Sequence, residues 1–301
     1  MNNLKIFFPK TNPIVFDKRG TYHSYQDAII HEATRDFIQQ FAETDRVAFQ
    51  ITWDSLTWGS FPKFEVILNI NGVDVLFKEI TASDTSGRDF PAFFYKRTKP
   101  TGKNLGGGVF GFSYILKDIK NETQLINNGD CFYFKIKIED STFESNKLIC
   151  DNNTERTKLI KYFQSTREGE ISYGTHFYVM PQGYNIRLQA EFTEIQPKAS
   201  KEVFQTYKGD FELVSAMPYK VEILQIGNRN GTGLPDWFVE NLNFIFHLDN
   251  KYIDGVSYEL TDNSDFNLDR VLKYNNRFLQ LELCKKEQEG FLIGSGYLRI
   301  F

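Results

Sequence analysis

The stretch "KFEVILNINGVDVLFKEI", residues 63–80, decides the fold class. It holds two runs of alternating apolar and polar residues around Asn71-Gly72. Asn-Gly is the strongest short-range signal for a two-residue hairpin, because both positions tolerate positive φ. The same period of two runs outward in both directions. "RVAFQITWD" (46–54) sets Val47, Phe49 and Ile51 against Ala48, Gln50 and Thr52. "DCFYFKIKI" (130–138) places Phe132, Phe134, Ile136 and Ile138 on one face, and "GGGVFGFSYIL" (106–116) lies between. Strands this closely spaced, joined by Gly-, Asn- and Asp-rich turns, predict an immunoglobulin-like β-sandwich over residues 45–149.

A second β-rich domain is expected over 150–301, with the boundary at the polar "CDNNTERT" (150–157). There "YNIRLQAEFTEI" alternates Ile186, Leu188, Ala190 and Phe192, and "QPKASKEVFQTYKGDFELV" reads as a hairpin around Lys208-Gly209. "LPDWFVENLNFIFHLDNKYIDGVSYEL" (234–260) reads as a short helix start, an apolar strand, a turn at Asp254-Gly255 and a second strand. Residues 1–44 read as an arm and a helix. Ser24 and Asp27 form a capping-box-like start, and Ile29, Ile30, Ala33, Phe37 and Phe41 recur at helical spacing over 24–41.

Composition narrows the function. The 301 residues include 29 Phe and 15 Tyr, which favours pleated, half-buried surfaces. Net charge is −4 with both signs interspersed and no long basic run, so no nucleic-acid partner is expected. No apolar run approaches the ~20 residues of a membrane-spanning helix, and the first residues lack a signal-peptide pattern. Cys131, Cys150 and Cys284 are far apart and odd in number, which supports neither a disulfide framework nor a zinc site.

Each motif with a chemical reading has a plainer one beside it. "NLGGGVFGF" leads into a strand, whereas a phosphate loop opens a helix. His31-Glu32 lacks the second histidine of a zinc-protease helix. "DNSDFNLD" (262–269) lacks the glycine and the closing glutamate of a calcium loop. No cofactor, metal or catalytic residue is therefore expected. "TWDSLTWGSF" (52–61) is the one loop suited to a ligand: Trp53 and Trp58 beside Asp54 and Ser55 could stack on sugar faces. The plainer reading ends a core strand at Trp53 and folds Trp58 over the sandwich edge.

The order of these segments resembles that of tail- and baseplate-associated virion proteins of phages and prophages of Bacteroidota. The segments that carry the resemblance are "LP-x-W", "Y-I-x-G" and "Y-x-L" within 234–260, together with "DRVAFQITWD", "GDCFYFKIKI…FESNKLI" and "TKLIKYFQS…YNIRLQAEF". The resemblance implies a structural subunit of a virion, assembled in the host bacterial cytoplasm in several copies with other tail proteins. It transfers no catalytic residue. Phe7, Phe8, Ile29, Ile30, Phe37 and Phe41 are then the expected contacts with a neighbouring subunit. Two alternatives stand beside this: a host-glycan-binding module using Trp53 and Trp58, and a glycan hydrolase on a β-scaffold.

Overall fold

The computed structural model describes residues 5–9, 11–18, 37–54, 63–80, 92–98, 104–163, 183–205, 207–208, 211–227, 234–248, 250–261, 264, 267–271 and 276–286. The chain is mainly β. Its strands form three sheets around two apolar cores.

The first core lies between two sheets. One has the order β1-β4-β8-β7, with β1 (Lys5–Phe7), β4 (Arg46–Asp54), β8 (Asn104–Ile115) and β7 (Ala92–Thr98). The other is built on β9 (Cys131–Ile138), which pairs along its length with β5 (Phe64–Ile70); β5 in turn pairs with β6 (Val73–Ile80). On its far side β9 carries β10 (Ser141–Ser145) and β11 (Lys147–Cys150). The sheets meet through rings from both: Phe49 against Phe134, Phe112 against Phe134 and Phe64 against Phe110, with centroids 5.3–5.6 Å apart. The hairpin at Asn71-Gly72 forms as its sequence demands, with φ of 52° and 87°. The chain crosses from sheet to sheet between β4 and β5, β6 and β7, and β8 and β9. The last crossing passes through a helix absent from the sequence reading, α1 (Leu116–Thr123), which buries Leu116 and Ile119.

The described residues of 1–44 join the sheets of the sandwich. β1 extends the first sheet beside β4, and β2 (Phe16–Lys18) pairs with β10. The expected helix over 24–41 is overturned at its described end. Ile38–Phe41 is a strand, β3, running parallel to β11. Most of the apolar stripe that suggested a helix precedes this strand in sequence, and at Ile38–Phe41 pairing with β11 selects the strand. Residues 24–36, including Ile29 and Ile30, lie outside the described residues.

The second core is a closed barrel. Between Cys150 and Thr157 the chain leaves the sandwich and enters β12 (Thr157–Phe163). β12 pairs with β13 (Tyr184–Gln205), β13 with β14 (Phe211–Gly227) and β14 with β18 (Asn276–Lys285). β18 pairs with β16 (Val256–Leu260), β16 with β15 (Asn250–Ile253), and β15 returns to β12. Every step is antiparallel, and β17 (Asn267–Val271) is added outside β18.

The segment expected as an apolar strand after "LPDW" is instead a helix, α2 (Asp236–Phe246). Leu234, Phe238, Val239, Leu242, Ile245 and Phe246 are all buried in the barrel core. Their spacing has the helical period, and a run this long exceeds the usual strand. The turn at Asp254-Gly255 forms as read, with φ of 48° and 85°.

Candidate interaction surface

Two features set what the molecule can offer a partner: a polar seam that locks sandwich to barrel, and a ribbon that extends past both.

The seam begins at β3 and β4, which serve both cores. Phe41 lies in the sandwich core, while Phe37, just before β3, lies in the barrel core with its ring 4.2 Å from that of Phe238. β4 turns Val47, Phe49 and Ile51 to the sandwich and Ala48 to the barrel. The alternation that reads as inward and outward in the sequence is inward on both faces here.

Across this wall runs a buried ion pair. Arg187 on β13 grips Asp45 at the start of β4 with two bonds, Nε to Oδ2 at 2.6 Å and Nη2 to Oδ1 at 2.7 Å, with both side chains buried. Arg187 also donates to Thr157 Oγ1, and Asp45 Oδ2 also accepts from the Ala42 amide. Bidentate geometry with the spare positions filled is what a buried pair requires to offset its desolvation. Two barrel tyrosines join in. Tyr162 donates to the Thr11 carbonyl at 2.6 Å, and Tyr184 to Gln50 Oε1 at 2.9 Å. Full burial pushes both phenols above their ordinary range, so they remain neutral donors. Asn12 acts as a substitute strand residue, taking the Gln50 amide on Oδ1 and giving Nδ2 to its carbonyl. Gln40 Nε2 holds the carbonyls of Asp151 and Asn153, fixing the connection between the two units to β3. Sandwich and barrel are therefore joined by directional bonds over a shared wall.

The ribbon is the distal part of β13 and β14. These strands are 22 and 17 residues long, against the usual five or six. Only their proximal parts belong to the barrel: β12 pairs with β13 up to Gln189, and β18 pairs with β14 down to Glu222. Ten further residue pairs, from Gln196↔Val221 to Gln205↔Phe211, continue with β13 and β14 paired only to each other among the described strands. A shift of register after Phe192 marks the departure from the barrel, and bulges of this kind bend a strand.

The base of the ribbon is held on both faces. On one, Glu222 accepts from Lys285 Nζ and from Tyr258 OH, each at 2.7 Å. On the other, Lys198 bonds Glu282, which also accepts from Thr261 Oγ1. Burial pushes the Glu222 carboxyl up, but the bonds from Lys285 and Tyr258 and the charges of Lys285 and Lys220 outweigh it and hold the group below the ordinary 4.5. Burial and the bond to Glu222 push the Tyr258 phenol up. Phe192 stacks on Tyr258 at 5.4 Å beneath this cluster.

Prolines guard both edges of the ribbon near its base. The Glu282 amide bonds Ser264 and its carbonyl bonds Thr261, so Leu283, one residue on, faces β14. Its partner Glu222 thus faces β18. Counting by twos places the backbone nitrogens of Lys220 and Pro218 on that same outer edge. Pro197 pairs with Lys220, so its nitrogen faces out on the opposite edge. Proline offers no donor there, which disfavours the addition of a further strand at the base. The tip turns at Tyr207-Lys208. Tyr207 is 94% exposed, and Lys208 Nζ lies 5.8 Å from its ring centre.

Of the residues expected at a partner contact, Phe8, Phe37 and Phe41 have described side chains, and these pack within the chain. Phe41 is fully buried and Phe37 nearly so, each in one of the chain's own cores; the expectation that they form a free apolar stripe is corrected, because β3 is the shared wall. Phe8 stacks on Phe16 at 4.8 Å and packs on Phe143 at 5.1 Å. Phe7 lies in β1 opposite Thr52, and its side chain is outside the described residues. Trp53 pairs with Ile6 and Gly108 along the backbone of β4; its side chain, and all of Trp58, lie outside the described residues.

The hairpin at Lys208-Gly209 was legible in the sequence, but its reach was not. A single strand, Phe211–Gly227, runs through Pro218, since a proline is admissible on a strand edge that pairs with no neighbour. Among the described residues no group of three or more His, Cys, Asp or Glu is placed to hold a metal ion, and no helix is long and apolar enough to cross a membrane. The three cysteines are free thiols; burial pushes that of Cys150 up. The sequence matches no protein-family model and no curated protein.

Proposed function

We propose that the chain is a structural subunit of a bacteriophage tail or baseplate, working in several copies beside other tail proteins. The observation that carries this reading is the two-stranded ribbon. Two strands alone are at best marginally stable in water. A chain that extends ten residue pairs past its barrel, and clamps their base on both faces, has built an element for a partner to cover. The polar seam supports the same reading, since it lets load on the ribbon pass into the sandwich without a flexible joint.

We read the sandwich as immunoglobulin-like on strand order. β1-β4-β8-β7 opposes β6-β5-β9-β10 with crossings in the sequence of the A-B-E-D and C′-C-F-G arrangement. Such sandwiches serve as rigid walls, and no catalytic step is assigned to this one. The virion is the proposed location, with assembly in the host bacterial cytoplasm. Negative-stain electron microscopy of the purified full chain tests the reading: rings or regular multimers are expected, and a chain that remains single at high concentration overturns it.

A further inference from the structure

We infer that Asn71-Gly72 is a modification site, converted in the folded chain through a cyclic imide to aspartate and isoaspartate, and that Asn128-Gly129 is held out of the same reaction.

The chemistry needs only the two residues and water. The Gly72 amide nitrogen attacks Asn71 Cγ. The new N–Cγ bond closes a five-membered imide, and the Cγ–Nδ2 bond breaks as Nδ2 leaves with the glycine's proton as ammonia. Water then opens the imide at either carbonyl, giving aspartate or an isoaspartyl link through the side chain. Glycine favours the closure, because it has no Cβ to hinder the approach of its nitrogen.

The chain carries three Asn-Gly pairs. Asn230-Gly231 lies outside the described residues. The other two lie at one end of the sandwich, where the Asp130 carboxylate takes hydrogen bonds from the Asn71 side chain and from Asn127. Both pairs are exposed, both glycines have positive φ, and a Cβ at either glycine would meet nothing within 4 Å. Water and space are therefore alike at the two sites, and backbone bonding separates them. The Gly129 amide donates to the Cys150 carbonyl at 2.6 Å, and Asn128 Oδ1 accepts from the Asn152 amide at 2.9 Å. Nucleophile and amide are thus each tied to backbone at the end of β11. The Asp130 amide bonds the Asn127 carbonyl, and the Cys150 amide bonds the Asp130 carbonyl, which locks the rest of that turn. Attack there requires a local opening first. The Gly72 amide instead donates to a side chain, Asn69 Oδ1, at 3.2 Å. The bonds at this turn, to Asn69 and to Asp130, each break by rotation of one side chain.

Conversion alters the hairpin. An aspartate at position 71 sets a second carboxylate against Asp130 and removes the amide hydrogen that Asp130 accepts. An isoaspartyl link adds a backbone atom to a two-residue turn whose twist matches its strands, which loosens β6 from β5.

Peptide mapping by mass spectrometry of the full chain, aged at mildly alkaline pH, tests the inference. Trypsin releases Asn71 in Phe64–Lys78 and Asn128 in Asn121–Lys135. Each peptide is followed for the single mass unit of an amide-to-acid change and for a separately eluting isoaspartyl form, in the folded chain and in urea. The ratio of the Asn71 rate to the Asn128 rate is expected to rise at least about tenfold on going from urea to the folded chain, because two backbone bonds must open at Asn128. A ratio that folding leaves unchanged or lowers overturns the inference. So does a Phe64–Lys78 peptide that still gains mass in Asn71→Asp, because the reaction is then at Asn69.

Discussion

The seam and the ribbon use hydrogen-bonding groups in opposite ways. At the seam, Asp45, Arg187, Asn12, Gln50, Tyr162 and Tyr184 are buried and bonded to one another or to nearby backbone, although Gln50 Nε2 is buried without a partner. Along the distal ribbon, β13 and β14 pair only with each other among the described strands. Buried polar bonds between fixed walls give a single geometry, because leaving any one unmade costs its desolvation. The comparison separates residues needed to fold from residues free to serve a contact.

Phe41→Asp breaks the first class most severely. A carboxylate at a site with no solvent access is not compensated, and a domain has only about 5–15 kcal/mol of stability to lose. The expected outcome is an unfolded chain by circular dichroism, sandwich and barrel together. Asp45→Ala comes next. It leaves the Arg187 guanidinium buried without its partner, at about 3–5 kcal/mol. Urea denaturation should show one earlier cooperative transition; two separated transitions would mean that the seam does not couple the units. Asn12→Ala strips a bond each from the buried Gln50 amide and carbonyl, an expected loss of about 2 kcal/mol in the same assay.

A fourth test sharpens the contrast at the ribbon base. The folded-state pKa of Glu222 is depressed, so its stabilisation is present above the ordinary 4.5 and is lost as the pH falls through the depressed value. Hydrogen-exchange protection at residues 220–224, taken relative to the intrinsic rate at each pH, should fall on acidification through that window, and Glu222→Gln should remove this dependence. Seam amides such as that of Gln50 should not follow the same profile. The smallest effect belongs to the tip: Tyr207→Ser is expected to change stability by no more than about 0.5 kcal/mol, because its ring is almost fully exposed.

The sequence by itself determined the strands whose turns are chemically forced. Asn71-Gly72 and Asp254-Gly255 admit positive φ at both positions, and the pairs around them form as read. It determined that Phe132, Phe134, Ile136 and Ile138 share a buried face, because a period of two leaves no other arrangement for them in a strand. The helix α2 was also written in the chain, in the spacing of Phe238, Val239, Leu242, Ile245 and Phe246, and was missed because a run dense in Phe and Ile also suits a buried strand. Three things were decided only by tertiary structure. Phe41 became the end of a strand, with Phe37 just ahead of it in the other core, because β11 offered Ile38–Phe41 a partner. Gln50 became buried because the barrel covers the second face of β4, with Tyr184 and Asn12 placed to bond it. Pro197 and Pro218 became edge guards because β12 and β18 stop short of them. In each case the local pattern allowed more than one environment, and contacts from more than a hundred residues away, or the ending of a neighbouring strand, selected among them.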